Sequence, residues 1–384
     1  MIVVGVPREI KPQERRVGLT PRGVGFLRRS GIAVHVETGA GLASGYSDQE
    51  YEKQRAKIVP DARTLYAHAR LIQKVKEPQP AEFPYLGRQH ILFCFLHLAS
   101  PENCHLVKAL LHAGTLSIGF ETVEIEGKTP ILKSMSEIAG ALAAIYASFF
   151  RQSELVRNQK IMLPNNFLDR LSAVASRYPT CPADWDIGPV VIFGGGVPGQ
   201  KAAEFALRMK GEVSIVEKGE ARRNELRNQW ASAAGRLSVF GPDDEIRPIL
   251  EKTDILIGCA HTPGRRAVRV LDAPALKGAS LTRKKVVIDV AVDQGGNFPE
   301  THATAYDDPL YLDSFGNLRF AVTNMPSLCG RGASDALTEA TRTYTAAMAR
   351  DFQEAMRLYP ELARAVNTED GLLKNPTVKE AHRA

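Results

Sequence analysis

The chain has 384 residues, of which 44% are hydrophobic and 24% are charged, enough to bury the cores of two or three domains. Its formal net charge of +6 includes no dense basic block, which argues against nucleic acid or a membrane surface as partner and leaves an anionic small molecule compatible. No apolar run approaches the length of a membrane span, and the short apolar opening before Pro7 indicates a first strand rather than a signal peptide.

Short apolar runs alternate with helical segments in the first part of the chain. The pattern predicts strands at IVVGVP, IAVHVET, LIQKVKEP, ILFCFLHL and TLSIGFETVE, and helices at TPRGVGFLRRSG and ENCHLVKALLHAG. This alternation indicates a parallel α/β sheet. MSEIAGALAAIYASFFRQSELV then reads as one long helix, with Ser136 near its predicted start as a candidate cap or phosphate contact.

The stretch ILFCFLHLAS contains His97 at the end of a strand that looks fully buried. A histidine in an apolar run is commonly a core residue hydrogen-bonded to a neighbour. The alternative is an imidazole presented at the carboxyl end of the strand, where open α/β sheets bind their ligands.

Residues 151–188 are polar and proline-bearing around one amphipathic stretch, NNFLDRLSAVASRY, and look like a connection. A second α/β series follows, with strands at VVIFGGG, EVSIVEK, TDILIGCA, KKVVIDVAVD and LRFAVTNMP, and a helix over about 221–234. The pattern is helical again over about 333–358 and breaks at Pro360. We therefore expect an α/β protein with two doubly wound, parallel-sheet (Rossmann-like) domains flanking a cleft.

A glycine loop opens the second series. In PVVIFGGGVPGQKAAEFALRMKGEVSIVEK, a buried strand runs straight into Gly194, Gly196 and Gly199, followed by a helix and a second strand that ends on Glu217. This G-x-G-x-x-G pattern in its required context predicts dinucleotide binding, the alternative being a glycine turn without a ligand. The glycines permit a tight turn, close approach to a pyrophosphate and close helix packing, while the helix amino terminus offers free N–H groups to the phosphates.

Glu217 favours NAD over NADP, because a carboxylate accepts hydrogen bonds from the adenosine ribose and repels a 2′-phosphate. Lys218, Arg222 and Arg223 lie just beyond it and could neutralise a phosphate. Their helical spacing is instead typical of a solvated face.

The whole chain except residues 151–188 resembles the alanine dehydrogenase family, relatives of the first domain of pyridine nucleotide transhydrogenase and of lysine-forming saccharopine dehydrogenase. The resemblance rests on the glycine loop and on GVPREIKPQERRVGLTP, KVKEP, FLHLA, MSEIAG, DVAVDQGG and VTNMP. FLHLA, MSEIAG and DQGG look like the alanine dehydrogenase branch. The resemblance implies an NAD-dependent L-amino acid dehydrogenase, with alanine and pyruvate as the first substrate pair to try, assembled as a homo-oligomer, dimer or hexamer.

Carried over residue by residue, the resemblance implies a set of site residues. Arg16 would bind the substrate carboxylate, Lys76 would contact the carboxylate and the reacting carbonyl oxygen, and His97 would be the acid/base group. Asp293 would hold and polarise the water or amine at the reacting carbon, and Met135 would line the side-chain pocket. Contact with the cofactor is implied for Ser136, Gly194, Gly196, Val197, Pro198, Gly199, Glu217, Asp293, Asn324 and Met325.

The reaction itself calls for the same types of group. Oxidising an amino acid moves a hydride to nicotinamide, and release of ammonia then needs water and proton transfers. Arg, Lys, His and Asp can hold the carboxylate, stabilise an oxyanion-like oxygen and shuttle protons. The structural alternatives are a surface cation for Arg16, a Lys76–Glu77 surface pair, and a turn cap for Asp293 or Asp289.

The resemblance assigns substrate binding to residues 1–137 with 326–384, and NAD binding to 138–325. Two segments depart from the family: 151–188 lacks its short glycine-rich connection, and SLCGRGASD, with the added cation Arg331, replaces its proline-bearing loop. The amino acid therefore stays open. Opine- or saccharopine-type reductive condensation, or NAD binding without turnover, are the alternative functions.

Five cysteines are scattered along the chain without a C-x-x-C pair or a companion histidine at zinc spacing. This distribution is typical of reduced thiols in a cytoplasmic protein. We expect neither a disulfide framework nor a structural metal.

Overall fold

A computed structural model of the chain describes residues 2–100, 103–152, 166–181, 184–233, 235–261 and 267–382. The chain divides into two compact units, the first formed by Met1–Met135 with Ser327–Ala384 and the second by Ser136–Pro326. Each unit holds its own mostly parallel sheet with helices, which confirms the predicted α/β fold class. The assignment of substrate to one domain and cofactor to the other stays a prediction.

The strands and helices follow one another in the order expected of α/β units. The strands are β1 (Val4–Val6), β2 (Val34–Glu37), β3 (Lys57–Val59), β4 (Leu71–Gln73), β5 (Ile91–Cys94), β6 (Leu116–Gly119), β7 (Pro189–Phe193), β8 (Glu212–Val216), β9 (Leu237–Phe240), β10 (Ile255–Gly258), β11 (Val286–Asp289), β12 (Leu310–Leu312), β13 (Leu318–Phe320), β14 (Val366–Glu369) and β15 (Leu372–Leu373). The helices are α1 (Pro21–Arg29), α2 (Asp48–Lys53), α3 (Ala62–His68), α4 (Cys104–Ala113), α5 (Pro130–Gln152), α6 (Phe167–Ala175), α7 (Val197–Arg208), α8 (Glu220–Gln229), α9 (Arg247–Lys252), α10 (Ala273–Thr282), α11 (Gly330–Arg350), α12 (Phe352–Leu358), α13 (Pro360–Arg364) and α14 (Pro376–Ala381).

Among the described residues, the first unit has an eight-stranded sheet in the order β15-β14-β6-β5-β4-β1-β2-β3. The strands β1 to β6 run parallel, whereas β14 pairs antiparallel with β6 and β15 antiparallel with β14. All four residues of β5 are buried, as expected of a parallel strand covered on both faces. Its side chains Leu92 and Cys94 pack in one core cluster with Leu65 and Leu110 from α3 and α4.

In the described part of the second unit, seven strands form a sheet in the order β12-β13-β11-β10-β7-β8-β9. Every pairing is parallel except that of β12 with β13. Val191, Phe193, Leu256 and Val287 fill a core cluster on one side of the sheet. The order reverses direction at β7, so the chain enters the glycine loop at a switch point of the topology, where doubly wound sheets bind ligands.

Five strands were missed by the pattern of apolar residues, namely β3, β9, β12, β14 and β15. They are two to four residues long, and none of them belongs to a longer apolar run of the kind that revealed the predicted strands. The strand β14 is also polar in sequence. It can be buried because Thr368 donates a hydrogen bond to the Thr115 carbonyl oxygen and shares one with Ser117 of β6.

Three predicted helix boundaries were wrong. The helix that contains Ser136 begins at Pro130, so Ser136 lies inside α5 and is not a cap. The helix predicted over 221–234 ends at Gln229 within the described residues, and position 234 lies outside them. The helix predicted over 333–358 begins at Gly330 and is interrupted at Asp351, whose carboxylate instead caps α12.

The predicted connection 151–188 lies partly outside the described residues, which omit 153–165 and 182–183. Its amphipathic stretch forms α6, with Phe167, Leu171 and Val174 buried on one face.

Candidate active site

Polar side chains follow the carboxyl ends of four neighbouring strands in the first unit. The strands β6, β5, β4 and β1 are adjacent and parallel, so the segments that follow them leave the same edge of the sheet. Glu121 follows β6, His97 follows β5, Lys76 follows β4, and Arg16 lies in the connection from β1 to α1. The structure therefore brings together three of the predicted site residues and adds Glu121, which the sequence analysis did not identify.

His97 lies three residues beyond β5 on a segment with unusual backbone geometry. Its φ is 48°, in the left-handed region that residues other than glycine seldom adopt. Its amide donates a 2.7 Å hydrogen bond to Glu121 Oε1, and its ring lies parallel to that of Phe95 with the centroids 5.9 Å apart. Solvent reaches the side chain, so His97 is not the enclosed core histidine of the alternative interpretation.

Protein atoms nevertheless crowd around the imidazole of His97. Burial lowers its pKa well below the ordinary value, and the positive charges of Lys76, Lys11 and Arg16 lower it further. The ring is therefore neutral near pH 7 and able to accept a proton. The influence of Lys76 and Arg16 on this pKa also places the three predicted residues within electrostatic reach of one another.

Arg16 is buried, with 2% of its side chain exposed, and is not a surface cation. Its Nε and Nη2 donate hydrogen bonds of 2.7 and 2.6 Å to the two carboxylate oxygens of Glu14, a fork-to-fork ion pair. Burial favours the neutral carboxyl of Glu14, but the charge and hydrogen bonds of Arg16 outweigh it and lower the pKa of Glu14. Nη1 of Arg16 lies 3.1 Å from Met135 Sδ, which brings the predicted pocket residue beside the predicted carboxylate ligand.

Lys76 forms an ion pair with Glu77, 3.7 Å between Nζ and Oε2. The pair is not on the surface, since only 8% and 7% of the two side chains are exposed. Burial lowers the pKa of Lys76, with Lys11 and Arg16 acting in the same direction and Glu77 opposing them. Lys11 is ion-paired with Glu77 as well. A substrate carboxylate arriving here would meet cations that are already partly desolvated.

The backbone geometry of the glycine loop in the second unit shows what the absence of a side chain allows at each of the three glycines. Gly194 has φ +99°, and a Cβ there would lie 2.8 Å from the backbone of Ala260. A Cβ on Gly199 would lie 1.9 Å from the Gly194 carbonyl oxygen, so the third glycine permits close packing of α7. A Cβ on Gly196 would meet only Pro198, at 3.9 Å, so protein atoms leave the space in front of this glycine open.

Glu217 is tied to the backbone of this loop. One carboxylate oxygen accepts a 2.8 Å hydrogen bond from the Gly195 amide and the other accepts one of 2.8 Å from the Gly219 amide. An ionised carboxylate has about four acceptor sites, so each oxygen retains capacity for a ribose hydroxyl. The open space at Gly196, the amino terminus of α7 and this carboxylate together fit the pyrophosphate and ribose of a dinucleotide.

The interpretation of the following cations as a solvated face was wrong for two of the three. Arg222 Nε donates a 3.1 Å hydrogen bond to the Gly195 carbonyl oxygen, and Arg223 Nη1 donates one of 2.7 Å to the Lys218 carbonyl oxygen. Both arginines are half-buried, whereas the Lys218 side chain is exposed. Arg222 braces the glycine loop, and Arg223 braces the backbone that follows β8.

Asp289 and Asp293 have different surroundings in the second unit. Asp289 ends β11, is buried, and accepts hydrogen bonds from the Asn297 amide at 2.7 Å and the Thr301 hydroxyl at 2.8 Å. The turn-cap interpretation therefore holds for Asp289. Asp293 lies four residues further on, in a 3₁₀ turn, with an exposed side chain. Its predicted contact with substrate and cofactor stays a prediction.

Three other predicted cofactor contacts also lie in the second unit. Ser136 is half-buried in α5, and Asn324 has φ 58° at the turn that follows β13. Met325 is buried, and its carbonyl oxygen accepts a 2.7 Å hydrogen bond from the Tyr306 hydroxyl. Their roles stay predictions.

Arg331 is on a helix and not in a loop, but its side chain is 57% exposed to solvent. It lies in the first turn of α11, with its guanidinium 4.3 Å from the centre of the Tyr46 ring and Nη2 3.4 Å from Glu50 Oε1. The segment SLCGRGASD, which departs from the family pattern, forms the end of a 3₁₀ turn and the start of α11.

Glu14 and Glu121 were not among the predicted site residues, although the sequence contains a signal for each of them. Glu14 lies two residues before Arg16 in the amino-terminal motif, and Glu121 follows a predicted strand as His97 does. Within the described residues, no group of three or more His, Cys, Asp or Glu side chains is arranged to hold a metal ion. Nor does any helix of that part of the chain have the length and apolar character to cross a bilayer.

Two protein-family models match the chain. The model described as alanine dehydrogenase/PNT, N-terminal domain, matches residues 5–139, and the one described as alanine dehydrogenase/PNT, C-terminal domain, matches residues 182–376. Together they cover more than half of the sequence.

The chain is also similar over its full length to curated and solved relatives. It is 34% identical to alanine dehydrogenase 2 of Staphylococcus aureus (strain USA300) over 382 residues, which is 98% of this chain and 96% of the relative. A solved L-alanine dehydrogenase superposes with a TM-score of 0.85 at 32% identity, covering 99% of each chain. A transhydrogenase from Sinorhizobium meliloti, at 24% identity and TM-score 0.76, covers 97% of this chain and 99% of its own and shares the fold.

Proposed function

The chain belongs to the alanine dehydrogenase/PNT family, and from this premise we propose that it catalyses the reversible, NAD-dependent oxidative deamination of a small L-amino acid. Alanine and pyruvate are the first substrate pair to test. The observation that carries the proposal is the group of Arg16, Lys76 and His97 at one edge of the first sheet, where the two cations act on the pKa of the imidazole. In the balanced reaction, amino acid, water and NAD⁺ give oxo acid, ammonium, NADH and a proton.

Arg16 and Lys76 bind the substrate carboxylate. The Glu14 carboxylate holds the Arg16 guanidinium in a fixed orientation, so little conformational entropy is lost when a second carboxylate arrives. Lys76 is desolvated, which strengthens its attraction for an anion and for a carbonyl oxygen that gains negative charge. Met135 lies against Arg16 and limits the space for the substrate side chain, which favours a small amino acid.

His97 handles the proton. In the free protein its lowered pKa leaves a neutral imidazole that can take a proton from the water or amine at the reacting carbon. Binding of the substrate carboxylate offsets the charges of Arg16 and Lys76, which raises the pKa of His97 towards its ordinary value. The protonated ring is then an acid for the reverse, reductive direction. We assign to Asp293 the holding of that water or amine.

The second unit binds NAD, which when bound accepts the hydride released from the α-carbon of the amino acid. The amino terminus of α7 and the open space at Gly196 receive the pyrophosphate, with Gly194, Val197, Pro198 and Gly199 forming the loop. Glu217 accepts from the adenosine ribose and disfavours a 2′-phosphate, which supports NAD over NADP. Ser136, Asn324, Met325 and Asp293 complete the proposed cofactor contacts.

We further propose that the protein is a cytoplasmic homo-oligomer, dimer or hexamer. The amphipathic helix α11 offers a face long enough for contact between subunits. Free thiols at Cys94, Cys104, Cys181, Cys259 and Cys329 suit a reducing compartment. The relatives favour neither reductive condensation nor loss of turnover.

The test is turnover of NADH with ammonium and a panel of oxo acids, followed by absorbance at the nicotinamide band. Pyruvate is expected to be reduced, and His97→Ala is expected to abolish turnover while NADH still binds, as measured by its fluorescence. His112→Ala, which removes an exposed imidazole in α4, is the control and should behave as the parent does. Turnover only with a second amino acid in place of ammonium would indicate condensation instead. Full activity of His97→Ala would refute the role of that residue.

A further inference from the structure

Glu121 lies at the carboxyl end of the strand next to the one that leads to His97. The strands β5 and β6 are parallel partners in register, with Cys94 opposite Gly119. The chain continues for three residues beyond Cys94 to His97 and for two beyond Gly119 to Glu121. The pairing of the strands therefore fixes the backbone positions of both residues.

The carboxylate of Glu121 accepts hydrogen bonds from two successive backbone amides. The His97 amide lies 2.7 Å from Oε1, and the Leu96 amide lies 3.3 Å from Oε1 and 3.2 Å from Oε2. Successive N–H groups that converge beside a residue in the left-handed region form an anion-binding concavity, called a nest. Here the anion in the nest is a side chain of the same protein.

A left-handed backbone is unfavourable for histidine and persists only when its surroundings hold it. Glu121 holds the amide side of the Leu96–His97 segment. The Asn103 side chain holds the carbonyl side, donating from Nδ2 to the His97 oxygen at 3.1 Å and to the Leu96 oxygen at 3.3 Å. The direction of the imidazole depends on this backbone conformation, because the Cα–Cβ bond turns with it.

Two further features describe the surroundings of this carboxylate. A Cβ on Gly119 would lie 2.7 Å from Asn367 Nδ2, 2.9 Å from Thr122 Oγ1 and 3.1 Å from Glu121 Oε1, so glycine leaves room for all three side chains at the strand end. Burial raises the pKa of Glu121, while its own backbone amide, the amides of His97 and Leu96 and the charge of Lys76 oppose the rise. The nest therefore helps to keep the carboxylate ionised.

We propose that Glu121 is a positioning residue, which holds the His97 imidazole in its reacting orientation through the amides of Leu96 and His97. The inference rests on the proposed acid/base role of His97. It assigns Glu121 no contact with substrate or cofactor.

The test compares Glu121→Gln and Glu121→Ala with the parent in pyruvate reduction. A misplacement of about 1 Å in a reacting group costs up to roughly a hundredfold in rate, so we expect kcat of Glu121→Ala to fall roughly tenfold to a hundredfold. Glu121→Gln should fall less, because its amide oxygen still accepts from one of the two N–H groups. The KM for pyruvate and the dissociation constant for NADH should change less than about twofold, since Glu121 makes no contact that binds substrate or cofactor in the ground state.

Glu124→Gln is the matched control, since it removes an exposed carboxylate three residues further along the chain and should match the parent. If Glu121→Ala does not fold, the isosteric Glu121→Gln decides the test. A parent-like kcat for Glu121→Gln, or a rise in KM and in the NADH dissociation constant equal to the loss in kcat, would overturn the proposal. Failure of the proposed function is distinguishable, because then the parent reduces no oxo acid or His97→Ala remains active.

Discussion

Three glycine-to-alanine substitutions in the second unit separate cofactor contact from packing. Gly196→Ala adds a methyl group into open space, its nearest protein atom being Pro198 Cδ at 3.9 Å, and its backbone is in an ordinary region with φ −69°. Its free energy of unfolding without nucleotide should therefore stay within about 0.5 kcal/mol of that of the parent. The same methyl group blocks the approach of a pyrophosphate to the amides of α7.

The expected loss of binding follows from the hydrogen bonds that the methyl group prevents. One hydrogen bond to a charged group contributes about 1.5–3 kcal/mol, so NADH should bind roughly tenfold to a hundredfold more weakly. Gly199→Ala is expected to differ, because its Cβ would lie 1.9 Å from the backbone oxygen of Gly194. The loop and α7 would have to separate, at a cost of about 3 kcal/mol in stability even without nucleotide.

Gly278→Ala is the control, because its Cβ in α10 would meet nothing within 4 Å beyond its chain neighbours and the backbone of its own helix, and alanine favours a helix by about 0.5–1 kcal/mol. The assays are NADH fluorescence titration and chemical unfolding of all three variants without nucleotide. Parent-like NADH binding by Gly196→Ala would refute the placement of the pyrophosphate. Parent-like stability of Gly199→Ala would refute the packing argument.

Two further predictions concern the first unit. Lys11→Gln removes a positive charge that lowers the pKa of His97, so this pKa should rise. Because carbethoxylation needs the neutral ring, modification of His97 should be slower at pH 6 in this variant than in the parent. An unchanged rate would contradict the electrostatic effect of Lys11. Glu14→Gln leaves the Arg16 guanidinium buried without its ionic partner and should destabilise the protein by about 3 kcal/mol in chemical unfolding. Glu339→Gln, whose carboxylate is half-exposed, should cost less than about 1 kcal/mol, and equal losses for both variants would show that burial does not govern the strength of these pairs.

The sequence alone was sufficient where a local pattern has one structural solution. The buried run before Gly194 and the helix after it fix a strand, a turn and a helix amino terminus, because only glycine tolerates the turn and the close packing. The alternation of apolar runs also predicted the fold class, since parallel strands need crossover helices. It missed β14, whose buried polar residues bond across to β6 and show no apolar period.

The sequence also predicted that His97, Lys76 and Arg16 lie at the carboxyl ends of strands or in the loops beyond them, because each comes at the end of a predicted strand or in the polar segment after it. Only the tertiary structure decided which groups they contact. The order of strands in the sheet places β6 beside β5. Only this pairing brings Glu121, which follows β6, to the His97 amide. The two residues are 24 positions apart, and no local pattern encodes a bond between a side chain and a distant backbone amide.

The environment of each charge was likewise decided by the tertiary structure. A lysine beside a glutamate reads the same in sequence whether the pair is on the surface or buried, yet burial is what lowers the pKa of Lys76. In the same way, Arg222 at helical spacing reads as a solvated cation until α8 packs beside the glycine loop and brings its guanidinium to the Gly195 carbonyl oxygen. Sequence fixes the charge a residue can carry, but its solvation and its partners depend on chain segments that only folding brings together.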